Sequence, residues 1–198
     1  MTGKRWLELW SSLALVAALT GSVIGVRRFQ QQQQRLATTI NRFDKTEALR
    51  LLKDGASPNS TFEGQPALVL AVQLDGMSPI ARELISHGAA LEAKGSEGET
   101  ALHAAATCGS IDDVKLLLAA GALVNTRDRY GNTPLHTSLT HTEVVRLLIQ
   151  HGANVNGRNN QGFTPLTWAR RAVLEPKYSD HLREVNQTIA VFKSNGGN

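Results

Sequence analysis

The chain has 198 residues, 41% of them hydrophobic, enough for one domain with some to spare. A single cysteine, Cys108, excludes an intramolecular disulfide and argues against a cysteine-based metal site. The net charge of +4 does not describe a nucleic-acid binder: of 21 basic and 17 acidic residues, five and one stand before residue 36, so the remainder carries 16 of each sign.

Residues 1–8 are a short flank. From Leu9 to Val26 the chain runs without a charge, L-W-S-S-L-A-L-V-A-A-L-T-G-S-V-I-G-V, within the roughly 17–25 residues that span a hydrocarbon core as a helix. Trp6 and Trp10 stand at its start, where indoles favour the headgroup level, and Lys4, Arg5, Arg27 and Arg28 bracket it. The reading is one N-terminal transmembrane helix, or signal anchor, over 9–26. A signal peptide shares the basic start and apolar run, but its best cleavage site, after Val23-Ile24-Gly25, is poor, and Arg27-Arg28 fit a stop at the membrane surface. Residues 27–35 are a basic linker containing Gln30–Gln34, short enough to hold the rest of the chain near the bilayer. Arg27, Arg28, Arg35, Arg42 and Lys45 outnumber Lys4 and Arg5, which puts the domain behind the linker on the cytoplasmic side. Export behind a short basic N-terminus is the alternative.

From residue 36 the chain repeats itself. Gly55, Gly88, Gly121 and Gly152 recur at intervals of 33, 33 and 31, each closing an apolar run. A period near 33 is the mark of a solenoid. The first copy, about 36–60, keeps only A-L-R-L-L-K-D-G-A-S-P-N from Ala48, with polar Arg42, Lys45, Glu47 and Arg50 suited to a terminal cap. The second, 61–94, has Pro66 where a threonine is expected and an insertion around Asp75–Pro79; Ser78 is its expected helix cap. The third, 95–127, carries T-A-L-H-A-A from Thr100, with Thr100 as a cap, Gly109 ending the first helix, and Asp112 and Asp113 as a cap and a solvated neighbour at the start of the second. The fourth, 128–158, carries T-P-L-H-T-S from Thr133 but loses two residues around Leu139–His141, which predicts a distorted turn between its helices. The fifth, 159–195, begins F-T-P-L-T-W-A, has an insertion at Leu174–Tyr178, and closes with a helix over His181–Lys193 whose inner face is Leu182, Val185, Ile189 and Phe192.

Period, signature and the terminal G-A-x-x-N together resemble the ankyrin repeat over residues 36–195. The resemblance implies an all-α ankyrin-repeat solenoid, helix-turn-helix repeats with β-turn tips, here preceded by the transmembrane helix. It implies that His103 and His136 hydrogen-bond within and between neighbouring turns, and that a partner protein binds along the turn tips and the first helices. Carried over residue by residue, that surface includes Phe62, Gln73, Lys94, Arg127, Arg129, Tyr130, Arg158 and Phe163. Lys94, Arg127 and Arg158 share one repeat position, so stacking lines them up as a basic row, diluted by Glu97, Glu99 and Asp128.

No catalytic constellation stands in this sequence. G-x-S-x-G, a phosphate-binding glycine loop and H-E-x-x-H are missing. Of six histidines, His87 and His151 precede helix-ending glycines, where imidazole suits a helix C-terminus. Equivalent positions in neighbouring repeats lie about 10 Å apart, too far to share a metal ion. The sequence therefore reads as a non-enzyme without cofactor or metal: a membrane-tethered protein–protein interaction scaffold. An exported periplasmic inhibitor or protective accessory of an enzyme is the alternative.

Overall fold

The computed structural model describes residues 35–197, and the side chains of all of these except 176–178. The flank 1–8, the apolar run 9–26 and nearly all of the linker 27–35 lie outside the described residues. Among the described residues no helix is long and apolar enough to cross a membrane.

Among the described residues ten helices occur in chain order: α1 (residues 35–41), α2 (Lys45–Lys53), α3 (Ala67–Gln73), α4 (Ser78–Ser86), α5 (Ala101–Cys108), α6 (Ile111–Ala119), α7 (Pro134–Thr137), α8 (Thr142–Gln150), α9 (Pro165–Ala172) and α10 (Leu182–Ser194). A 3₁₀ turn over Pro176–His181 precedes α10. Two short strands, β1 (Thr61–Phe62) and β2 (Gln65–Pro66), pair antiparallel as a hairpin before α3. The fold is therefore helical with short strands, and the helices stack in two layers. The first helices pack α3 on α5 on α7 on α9; the second pack α2 on α4 on α6 on α8 on α10.

Each repeat inserts the same residues into the stack. Leu68, Leu102, Leu135 and Leu166 come from the first helices, and Leu84, Leu117 and Leu148 from the second, all 2% exposed or less. Burying each such leucine stabilises by roughly 1.5–3 kcal/mol, and one repeat alone has no neighbour against which to do so. The second helices end alike. The amides of Ala56, Ala89, Ala122 and Ala153 reach back to Leu51, Leu84, Leu117 and Leu148 at 2.9–3.0 Å. That closure needs left-handed backbone at Gly55, Gly88, Gly121 and Gly152, with φ between 84° and 96°, which glycine adopts without steric cost.

Four details differ from the sequence expectation. Ser78 is not the cap of α4; Met77 holds that place, and the Ser78 hydroxyl donates to Asp113 Oδ2 at 3.0 Å. Ser110 caps α6. Neither Asp112 nor Asp113 does. Asp113 is 3% exposed and accepts from Ser110 Oγ at 2.7 Å, in the register that Ile80 and Val144 occupy in adjacent repeats. In the fourth repeat the missing residues come out of the first helix itself: α7 has four residues against eight in α5. Leu182 is 37% exposed, and α10 instead buries Val185, Thr188, Val191 and Phe192.

Candidate functional site: the turn tips

The tips are held by three ladders of side chains that repeat with the fold. The innermost is built on Thr100 and His103. The Thr100 amide donates to His103 Nδ1 at 3.2 Å, the Thr100 hydroxyl lies 3.0 Å from the same nitrogen, and His103 Nε2 reaches the Asn132 carbonyl at 3.0 Å. A carbonyl only accepts, so the proton sits on Nε2, and Nδ1 is left as the acceptor that closes the capping box. His136 repeats this with the Thr133 amide at 3.2 Å and the Phe163 carbonyl at 3.1 Å. Burial holds both imidazoles below their ordinary value, against the pull of the carbonyl each one bonds. His87 and His151 serve locally: Nδ1 of each donates to the carbonyl four residues back, at 2.9 and 2.8 Å.

A second ladder uses the residue four after each helix-ending glycine. Asn59 Oδ1 accepts from the Ala90 amide, Glu92 Oε1 from Leu123, and Asn125 Oδ1 from Asn154, at 2.7–2.8 Å. Asn156 donates to the Gly196 carbonyl at 3.0 Å. The third ladder is the expected basic row. Lys94 Nζ donates to the Arg127 carbonyl at 2.9 Å, and Arg127 donates to the Arg158 carbonyl at 2.8 Å and to Asn160 Oδ1 at 3.0 Å. Arg158 turns to the Gly162 carbonyl, four residues on, at 2.7 Å. All three side chains remain exposed.

Arg129 and Tyr130 sit beside this row and close on Glu97 of the preceding tip. Arg129 donates to Glu97 Oε1 at 2.9 Å, and the Tyr130 hydroxyl donates to Oε2 at 2.8 Å. The guanidinium stacks 5.0 Å from the Tyr130 ring centroid. The Glu97 carboxylate, by accepting the phenol proton, raises Tyr130 above its usual value. Tip backbones join as well, Arg129 amide to Glu97 carbonyl at 3.0 Å and Asn160 amide to Tyr130 carbonyl at 2.9 Å.

The comparisons with known proteins agree with this geometry. A family model described as ankyrin repeats (3 copies) matches residues 36–128 and 121–175. The chain belongs to the ankyrin repeat family. It is 37% identical over 98 residues to human SH3 and multiple ankyrin repeat domains protein 2, a stretch of 48% of this chain and 5% of that protein. It is 43% identical over 72 residues to mouse protein fem-1 homolog A-like, 35% of this chain and 11% of that one. A homolog of transient receptor potential cation channel subfamily A member 1 from Caenorhabditis elegans is 51% identical over 47 residues, 24% of this chain and 4% of that protein. The match thus spans a small fraction of each relative's length. Ankyrin repeats are protein–protein interaction modules, and that much holds for this chain.

Within the ankyrin array, Lys94, Arg127, Arg129, Tyr130, Arg158 and Phe163 fall on one strip of tips that runs from the end of repeat two into repeat five. Phe62 lies in the hairpin at the second tip, half-buried against the core, and Gln73 is the exposed last residue of α3. Glu97, a diluting charge by sequence, is the acceptor that organises Arg129 and Tyr130. His141 has a place that no repeat position predicts. Its ring covers Gly109, where an added Cβ would lie 2.4 Å from it, and its Nε2 donates to the Thr107 carbonyl at 3.0 Å. A histidine standing where repeat four is shortened is the only sequence signal for that contact. Among the described residues, no group of three or more metal-ligating side chains gathers.

Proposed function

We propose that this protein is a membrane-tethered interaction scaffold that holds an extended segment of a partner protein along the tips of repeats three to five. The observation that carries the binding half is the third ladder. Each cation of Lys94, Arg127 and Arg158 is fixed by a neighbouring carbonyl yet stays exposed, so little side-chain entropy remains to be lost on binding. Arg and Tyr are also the residue types that most often dominate interfaces. Tethering is supported by the uncharged run 9–26 between basic pairs, and the cytoplasmic side by the excess of Arg and Lys beyond that run. A tether raises the local concentration of whatever the tips hold.

Photo-cross-linking tests the binding half. A photoreactive residue in place of Gln161, an exposed tip side chain, should give partner adducts, whereas one at Lys115 on α6 should not. Adducts formed only from Lys115 would overturn the reading. For the tether, paired reporter fusions at the C-terminus, one active only in the cytoplasm and one only outside, decide the side. Extraction of the protein by high salt alone would refute a spanning segment.

A further inference from the structure

The tips of repeats four and five carry the same kind of group, and only one is complete. In repeat four, a cation stacked on an aromatic ring (Arg129 on Tyr130) and a hydroxyl donor together grip a carboxylate, Glu97. In repeat five, Arg171 lies 5.5 Å from the Phe163 ring centroid, and the Phe163 ring lies 5.7 Å from Trp168. Trp168 and Arg171 are three residues apart on α9, hence on one face, turned from the stripe Pro165, Leu166, Ala169 and Ala172 that α9 buries. Here the carboxylate is missing. Among the described residues no acidic side chain pairs with Arg171, and the indole N–H of Trp168 has no partner. From Val144 to Leu174 the chain has no Asp or Glu at all, while Arg146, Arg158, Arg170 and Arg171 all fall in that stretch.

We infer that Phe163, Trp168 and Arg171 form a receptor for an acidic side chain, Asp or Glu, of the bound protein segment. The Arg171 guanidinium and Trp168 N–H donate to its two oxygens as Arg129 and Tyr130 donate to those of Glu97. Leu174, one turn further along and 83% exposed, offers apolar surface to the residue next to the acid. This rests on reading the tips as a protein-binding surface and adds the chemistry of one anchor.

The test uses the full chain in mild detergent with Trp6 and Trp10 replaced by Phe, which leaves Trp168 as the only indole. The probe is a displayed library of random peptides. Wild-type selections should enrich Asp or Glu beside an apolar residue, and Arg171→Glu should switch that position to Lys or Arg. With the best synthetic peptide, Trp168 emission should shift on binding. Hydrogen bonds to charged groups have about the strength that makes Arg171→Gln weaken binding roughly tenfold or more, and Trp168→Phe about fivefold. Circular dichroism keeps loss of fold separate from loss of binding. Acidic peptides whose enrichment depends on Arg127 or Arg158 and ignores Arg171→Glu would leave the tip reading standing and overturn this inference. No enrichment at all would overturn both. If Arg171→Glu abolished attachment to phosphatidylserine vesicles yet left the peptide selection unchanged, the patch would be a lipid contact and the inference would also fall.

Discussion

The two ends of this array are held together by different forces. Between repeats three, four and five the seams carry the histidine ladder, the basic ladder and the Glu97 clamp, each crossing to the next tip. In repeats one and two the signature is gone. Pro66 stands where Thr100 and Thr133 supply a capping hydroxyl, and Val69 where His103 and His136 reach across. What remains there is packing by Leu36, Ile40, Leu52, Leu68 and Ile80, together with the bond from Asn59 to the Ala90 amide. Apolar packing is strong but not directional, whereas a carbonyl three ångströms from an imidazole fixes both distance and register. The difference teaches that the protein is built stiff at the tips that carry its candidate site and looser at the end nearer the apolar N-terminal run. In a nearest-neighbour stack the loosest seam opens first.

The largest expected effect breaks that weak end. Leu52→Ala, at a side chain 1% exposed, should cost about 2–5 kcal/mol. The loss should appear as a separate early transition and as faster hydrogen exchange in α1–α4, with α6 and α8 still protected. Uniform loss of protection would mean that the seams are alike.

At the strong end, His136→Ala removes the capping acceptor and the bond to Phe163 together, an expected cost of about 2–3 kcal/mol. The same histidines give a pH dependence. Their folded pKa values lie below the ordinary imidazole value of 6.5, so acid protonates the unfolded chain first. Their contribution is complete above that value and is lost as pH falls below it through the folded values. A melting temperature that drops between pH 7.5 and 5, with a shallower slope in the His103→Gln, His136→Gln double variant, is the expected result.

Gly109→Ala should cost about 1–2 kcal/mol, since its φ of 74° disfavours any side chain. His141→Ala in the same chain should relieve the clash with the ring but not the backbone cost, so the two changes should be non-additive in a thermal-melt cycle. The smallest effect runs the other way. Pro66→Thr with Val69→His restores the missing capping box in repeat two and should add about 1 kcal/mol, seen as slower exchange in α3. No change would mean that the second tip holds the backbone away from a capped geometry.

Much of this is legible in the sequence because it repeats. Leucine spacing, the closing glycines and the T-x-L-H strings each recur at one period, so one repeat explains the next, and the basic row comes from equal spacing of Lys94, Arg127 and Arg158. Whatever departs from the period stays hidden. Asp113 occupies an aliphatic register yet is stabilised by two serine hydroxyls, one from the neighbouring repeat, a pairing no local pattern announces. His141 replaces packing lost to a deletion. Leu182 looks buried by helical spacing, but it is the first residue of α10, directly after the 3₁₀ turn, and is 37% exposed while the helix buries Val185, Thr188, Val191 and Phe192. For the site, residue types give the row, while the internal bonds that hold it, above all Glu97, require the tips to be set side by side.

Two ladders terminate at the last repeat, one of them by substitution. Thr167 stands where histidine would reach onward, and its hydroxyl accepts the Thr164 amide at 2.7 Å without crossing to another tip. Asn156 finds its acceptor in the backbone of the closing tail. Lengthening this array by grafting a copy behind α10 would therefore demand two edits beyond the graft itself: Thr167→His to create an outgoing connection, and removal of 195–197 to release Asn156. A graft lacking them would be a neighbour without an attachment point.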